Sequence, residues 1–377
     1  MMLMRTIGAP LILHLMFWKF SLSTPSLRMA TIRYLPNSRY IPSHARHFIV
    51  NESNIQTIKA CALACHTHDY CRTANYFPMD FICSLYEESK HVGKVIGTSS
   101  TTIIQIVLCP PGYNEETHIC HGGPTRTPIP LQQAFDSMSL IHQLPMAPAM
   151  IFMTTQLMFV PIAGTPTIRV YDMQTMDLVT TLSQSCNIAY IDMTFFSNSS
   201  IQNIAVQCMS IIMYLFNGSP PPMSSVWFST SCFSETHLVG LMVNNNRLRI
   251  WSTNRTYLRD ILGVSFSLIS TVSCLILDQT VYFSSNSAIQ SVNVNGTGLS
   301  TFYSMPAHPD GITMDATGPH FFVPCSLCSN QNITVLSRNG TVLARINMAA
   351  VHVVAKPSKY RYRLVTSDRS YLRVYEI

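Results

Sequence analysis

Along most of the chain the apolar residues come in short runs rich in Ile, Val, Leu, Tyr and Phe, broken by Gly, Pro, Asn and Ser. Such a pattern reads as one short strand after another. Near residue 55 the spacing changes. Ile55, Ile58, Ala62 and Cys65 follow at helical intervals behind the N-cap candidates Ser53 and Asn54, which predicts a helix with Cys61 and Cys65 on one face. After it, Arg72 to Phe77 and Phe81 to Tyr86 flank Pro78-Met79-Asp80 as a hairpin, and Thr101 to Leu108 reads as a further strand.

Beyond a linker over residues 110–134, Gly- and Pro-rich from residue 121, one pattern recurs. Apolar-x-apolar-apolar stands at Ile168-Arg-Val-Tyr171, Ile211-Ile-Met-Tyr214, Leu248-Arg-Ile-Trp251, Ile333-Thr-Val-Leu336 and Leu372-Arg-Val-Tyr375, with a degenerate copy at Ile289-Gln-Ser-Val292. A period near 40 residues with several strands per unit is the pattern of a β-propeller, and six copies predict six blades. Five copies are followed by another strand-like run: Asp177 to Leu182, Ser225 to Ser229, Tyr257 to Leu262, Leu299 to Tyr303 and Thr341 to Ile346. The sixth stops at Ile377. Its outermost strand is expected from Ser137 to Leu144, a closure that removes open sheet edges.

Two apolar stretches bear on the membrane question. Arg5, the run Ile7 to Phe17 and then Ser21-Leu22-Ser23 have the layout of a signal peptide over residues 1–23, with an uncleaved signal anchor as the alternative. Ile261 to Leu277 carries no charge, but its serines, its length and the flanking Asp260 and Asp278 argue for two buried strands joined by a turn. No membrane span is expected in the mature chain.

Charged residues make up 11% of the chain, against about 25% in an ordinary soluble domain. Hydrophobic residues make up 47%, which excludes disorder. The net charge of +6 is spread thinly, without the basic stripe that neutralises phosphates, so nucleic acid is excluded as a partner. Twelve cysteines point to an oxidising compartment. N-glycosylation sequons at Asn51, Asn198, Asn217, Asn254, Asn295, Asn332 and Asn339 agree with it, although Pro220 weakens the one at Asn217.

The stretch ACALACHTHDYCRTANYFPMDFICSLYEES resembles the PAN/apple module, in which a helix carries two cysteines, a third follows it and a fourth lies in a Cys-x-Leu-Tyr strand. The resemblance covers residues 28–109 and implies bridges from Cys61 to Cys83 and from Cys65 to Cys71. It also implies an extracellular protein that binds proteins or carbohydrates. The family's further bridge from an N-terminal cysteine has no counterpart, because no cysteine precedes Cys61. Cys109 is expected to close a small loop with Cys120 through Pro110-Pro111-Gly112. A zinc site drawing on these cysteines, His66 and His68 is the competing reading. Farther on, His308 to Val323 resembles the opening strands of an NHL or gluconolactonase-type blade. The expected fold is mainly β: a small disulfide-linked α+β apple-like module, then a six-bladed NHL-like β-propeller over residues 135–377.

Six residues after the anchors stand Asn217, Asn254, Asn295 and Asn339, where third strands turn into fourth ones. Three of them are followed by Gly, where Asn-Gly supplies the positive φ of a turn; all four are also glycan acceptors, and the two readings are compatible. Cys186, Cys232 and Cys274 fall at first strands, and Cys208 and Cys325 at the ends of second strands, which predicts one glycosylated and one cross-linked face. Cys186 with Cys208 and Cys325 with Cys328 are the expected bridges, a buried free thiol being the alternative at each.

Asp310, in Pro309-Asp310-Gly311, matches the metal-binding aspartate of the gluconolactonase family, but that family's Glu and Asn are missing from Pro148 to Pro161 and from Cys274 to Phe283. One carboxylate does not satisfy calcium. No nucleophile elbow, phosphate loop, zinc-protease or dinucleotide motif is present. Lys356, Lys359, Arg361, Arg363, Arg369 and Arg373 gather near the C-terminus, alternating with Tyr360, Tyr362 and Tyr371, a candidate surface for sulfated polysaccharide; a solvated strand face is the plainer account. The expectation is a secreted, non-catalytic recognition or adhesion protein without cofactor, with a degenerate calcium-dependent lactonase-type hydrolase as the alternative.

Overall fold

The computed structural model describes residues 31–43, 47–120, 127–148, 150–153, 157–162, 164–183, 190–195, 202–208, 211–215, 230–234, 237–242, 246–252, 256–264, 274–315, 320–330, 332–357 and 362–377. Its N-terminal module comprises β1 (Thr31–Leu35), β2 (Ser38–Ile41), β3 (Phe48–Glu52), α1 (Ile58–Thr67), β4 (Thr73–Phe77), β5 (Ile82–Tyr86), β6 (Lys94–Gly97) and β7 (Thr102–Val107). An antiparallel sheet runs in the order β1-β7-β4-β5-β3, and β2 pairs with β6 beside it. Helix α1 lies on one face, where Cys61, Ala62 and Cys65 pack on Ala74, Leu85, Ile104 and Ile106.

The helix starts later than the spacing predicts. Thr57 caps it, with Oγ1 accepting the Ala60 N–H at 3.1 Å, in place of Ser53 or Asn54. Asn54 is left-handed, with φ 62°, so the chain turns there before it can enter a helix.

The segment read as a linker is structured over part of its length. It contains β8 (His118–Ile119), β9 (Ile129–Pro130) and α2 (Leu131–Asp136). Leu131, Ala134 and Phe135 are buried, and the Phe135 ring meets Phe322 and Tyr362 edge-on at 6.1 and 5.7 Å. Two turns of helix are too short for a periodic signal, so only the packing partner reveals this element.

After β10 (Ser139–Pro145) the chain forms successive antiparallel sheets. They are β11 (Phe152–Met153) to β12 (Leu157–Pro161), β13 (Thr167–Asp172) and β14 (Leu178–Ser183); β15 (Tyr190–Phe195), β16 (Gln202–Cys208) and β17 (Ile211–Leu215); and β18 (Thr230–Phe233), β19 (His237–Met242), β20 (Arg247–Ser252) and β21 (Tyr257–Leu262). Then come β22 (Cys274–Leu277), β23 (Thr280–Ser284), β24 (Ala288–Asn293) and β25 (Ser300–Ser304); β26 (Thr313–Met314), β27 (Phe321–Pro324), β28 (Ile333–Leu336) and β29 (Val342–Ile346); and finally β30 (His352–Pro357), β31 (Tyr362–Ser367) and β32 (Tyr371–Glu376). The expected strand at Ser225 to Ser229 lies outside the described residues.

Strand β10 pairs with β32, so the N-terminal end of this region completes its last sheet. First strands neighbour one another in the order β15, β18, β22, β26, β30 and β11. The fold is mainly β, and its sheets are consistent with a propeller. Every copy of the apolar repeat lies on the third strand of a sheet, and in β20, β24 and β28 its large residues fill clefts between sheets. A register shift recurs between third and fourth strands, at Val170/Tyr171, Ile250/Trp251, Ile289/Gln290 and Val335/Leu336. Such bulges increase strand twist.

Candidate functional site

In a four-stranded meander the turns joining first to second and third to fourth strands lie at one end. The N-terminal module contacts the sheets at that end through Arg338 and Lys356, and the segment that follows it does so through His320. The chain leaves β5 as Glu87-Glu88-Ser89, all three buried. Glu87 is 2% and Lys356 3% exposed, and they form an ion pair across the junction. His47 sets Nδ1 3.0 Å from Glu87 and Nε2 3.2 Å from Glu88. Glu88 also accepts from the Ser43 N–H at 2.9 Å and from the hydroxyls of Tyr40 and Ser43. Burial acts to raise the Glu87 pKa, but Lys356 and His47 outweigh it and bring it from 4.5 to about 2. Gly93 passes so near the Tyr40 ring and the Ile41 carbonyl that no side chain fits there.

Two further contacts tie the units. His320 places Nε2 2.8 Å from the Glu116 carbonyl and Nδ1 2.7 Å from Asp315, which also accepts from the Tyr362 hydroxyl at 3.1 Å. A carbonyl only accepts, so Nε2 carries hydrogen. Burial opposes the charged ring, yet Asp315 and the hydrogen bonds raise the His320 pKa above its ordinary value. Arg338 donates to the carbonyls of His91 and Val92, at 3.1 and 2.6 Å, while the Val92 side chain joins a core with Leu275, Phe321 and Leu336.

Beside these contacts a cleft of about 580 Å³ opens between the β1–β7 edge, the loop from Cys109 to Glu116, and Arg338. Arg33, His91, Gln105, Glu115 and Tyr113 line it. None of these residues was singled out by pattern or motif, because they come from distant segments and share no spacing.

The structure bonds Cys61 to Cys83, Cys65 to Cys71 and Cys109 to Cys120 in the N-terminal region, and Cys325 to Cys328 after β27. With these cysteines oxidised, the zinc reading loses its ligands. Cys232 is bonded to Cys274, which joins the first strands of neighbouring sheets, a pairing that local spacing does not reveal. The proposed Cys186 to Cys208 bridge lies outside the described residues, as do Asn198, Asn217 and Asn254. Asn51 lies in β3, and Asn332 precedes β28. Asn295 and Asn339 are exposed in third-to-fourth-strand turns, where the positive φ belongs to Gly296 and Gly340.

Asp310 is buried and accepts from Ser326, from the hydroxyl at 2.9 Å and from the backbone N–H. Burial raises its pKa despite those donors. The basic C-terminal surface is corrected. Lys356 is committed to Glu87; Arg363 is buried and donates to Glu376 at 3.0 Å and to the Met173 carbonyl; and Arg373 pairs with Asp368. Alternation failed to predict a shared face because all of β31 is buried, both faces packing against neighbours. Lys359 and Arg361 lie outside the described residues.

Among the described residues no helix is long and apolar enough to cross a membrane. No curated protein matches the chain. A solved structure described as "Crystal Structure of Mitotic Checkpoint Complex" aligns over 59% of this chain and 71% of that chain, with 11% identity and a TM-score of 0.40. Residues 37–107 match the family model of the PAN domain. With its two-cysteine helix stapled to a central sheet, the N-terminal module is a PAN domain.

Proposed function

We propose that the protein is a secreted, non-catalytic recognition or adhesion protein that binds protein or carbohydrate ligands outside the cell. In this reading the sheets form a six-bladed NHL-like propeller that serves as a rigid platform for the PAN domain. The observation that carries it is the PAN domain itself, locked onto the sheets by the buried Glu87–Lys356 pair. Disulfides in both parts support the extracellular compartment. The engagement of Asp310 by Ser326 supports a structural role for that carboxylate, in place of metal binding. Both units then act as one body, whose opposite face and junction cleft are open to ligands.

The test is to express the chain through a secretory pathway, map disulfides and glycans by peptide mass spectrometry, and screen it on arrays of glycans and extracellular proteins. Oxidised cysteines, glycans at Asn295 and Asn339 and a saturable array signal are expected. Free thiols with bare asparagines overturn the compartment, and chelator-sensitive hydrolysis of lactones replaces recognition with catalysis.

A further inference from the structure

The junction cleft holds groups that the docking of the two units leaves unused. Its floor is one face of the β1–β7 pair, where Arg33 stands opposite Gln105 and Thr31 opposite Val107, while Ile104 and Ile106 turn to α1 on the other face. Gln105 is 5% exposed, and its side-chain Oε1 is buried with no hydrogen-bond partner among the described residues. Buried polar groups in native proteins are almost always satisfied, so an unsatisfied amide oxygen in the wall of a cleft calls for a ligand.

The charges around it point the same way. Arg33 is exposed and has no ion-pair partner among the described residues. His91 and Arg338 stand on the facing lip, Arg338 also lying 3.5 Å from Asp278. Burial, then Lys90, Arg33 and Arg338, hold the His91 pKa below its ordinary value, with Glu115 opposing them. With the His91 ring held toward its neutral form, Arg33 and Arg338 are the cations that concentrate an anion at the cleft. The cleft is not uniformly basic, however. Glu115 is tied to Arg72 at 3.1 Å and Glu116 lies beside it, so a dense polyanion is repelled while hydroxyl donors are welcome. Pro110, Pro111 and Tyr113 supply an apolar wall. A single anionic group, several hydroxyls and a flat C–H face together describe an acidic sugar ring, and the volume suits one or two such rings.

We propose that this cleft binds a carboxylated sugar unit of an extracellular glycan, with Arg33 on the carboxylate, Gln105 on a ring hydroxyl and Tyr113 against the ring face. The proposal rests on the extracellular recognition reading and gives that reading its ligand class.

The experiment is saturation-transfer NMR on the full secreted chain, with glucuronic acid as probe, glucose as the neutral control and a heparin fragment as the dense polyanion. Transfer to glucuronic acid and none to glucose is expected. Arg33→Ser, at an exposed position, weakens binding by about tenfold or more. Gln105→Leu weakens it as well while leaving the melting temperature unchanged or raised, since it removes an unsatisfied polar group; a purely structural glutamine would instead lower it. Equal transfer to glucose, no transfer to glucuronic acid, or binding confined to the heparin fragment overturns the proposal. If an array ligand is still captured and Arg33→Ser leaves that capture intact, the cleft assignment falls and the recognition reading stands. Silence on the array as well removes both.

Discussion

The PAN domain and the sheets that carry it solve the same problem, burying a core, by different means. In the PAN domain two bridges, Cys61–Cys83 and Cys65–Cys71, sit inside the core beneath α1, and Cys109–Cys120 lies directly behind them. A unit of this size exposes too much surface for its volume, so covalent staples make up what apolar burial lacks. Among the described residues of the sheets the core lies in clefts between neighbours, filled from two sides, and β10 closes the last sheet without any covalent bond. There, among the described residues, the bridges are accessory: one joins two first strands and one spans a single turn. Stability by repetition needs no cross-link, whereas stability in a small single core does.

That contrast is broken most sharply at the junction. Lys356→Met leaves the buried Glu87 without its ammonium partner, with His47 beside it, and a loss of about 3–5 kcal/mol is expected from chemical denaturation. The double variant with Glu87→Met should recover most of it, because no uncompensated charge remains.

Next come the bridges themselves. Cys61→Ala with Cys83→Ala, opening a loop of sequence separation 22, is expected to destabilise the PAN domain by about 2–5 kcal/mol. Cys325→Ala with Cys328→Ala, with separation 3, should have a smaller effect. Limited proteolysis of the two variants would show the first cut within residues 37–107 and the second resistant; equal sensitivity would erase the distinction between the units.

The junction also sets a pH profile. The Glu87 pKa is lowered from 4.5 to about 2, so its contribution is present above about 4.5 and is lost as pH falls through about 2. His320 is raised above its ordinary 6.5, so its contribution is complete below that value and is lost as pH rises through the folded pKa. Denaturation midpoints measured against pH should plateau between about 4.5 and 6.5 from these two groups, and His320→Gln should flatten the alkaline side alone. The smallest effect is expected at the helix cap: Thr57→Ala removes the acceptor for the Ala60 N–H and lowers PAN-domain stability by about 1 kcal/mol, read by amide hydrogen exchange in α1.

Much of the fold was legible because it is local or periodic. The apolar repeat marks third strands, since its apolar positions are the buried ones while the intervening residue reaches the surface, as in β13 and β20, and the period returns with each unit. The helix with Cys61 and Cys65 on one face was legible for the same reason, although its start was not: Asn54 is left-handed in the structure, and a cap is chosen by where the chain turns. Helix α2 escaped because six residues carry too little period, and the Cys232–Cys274 bridge escaped because its partners meet only when two sheets stand side by side. The C-terminal cations misled for a related reason. Alternation assigns a face, but whether that face meets water depends on what covers it, and Lys356 and Arg363 are covered.

Residue order alone decided the compartment-linked chemistry, the helix and hairpin of the PAN domain, the repeat and the strand content, because each depends on neighbours a few positions apart or on a regular period. Tertiary structure alone decided that Glu87 meets Lys356, that His320 meets the Glu116 carbonyl, and that Arg33, Gln105 and Arg338 border one cleft. Those groups lie up to hundreds of residues apart, and a charge or an amide acquires its role only from the dielectric and the partners that folding places around it.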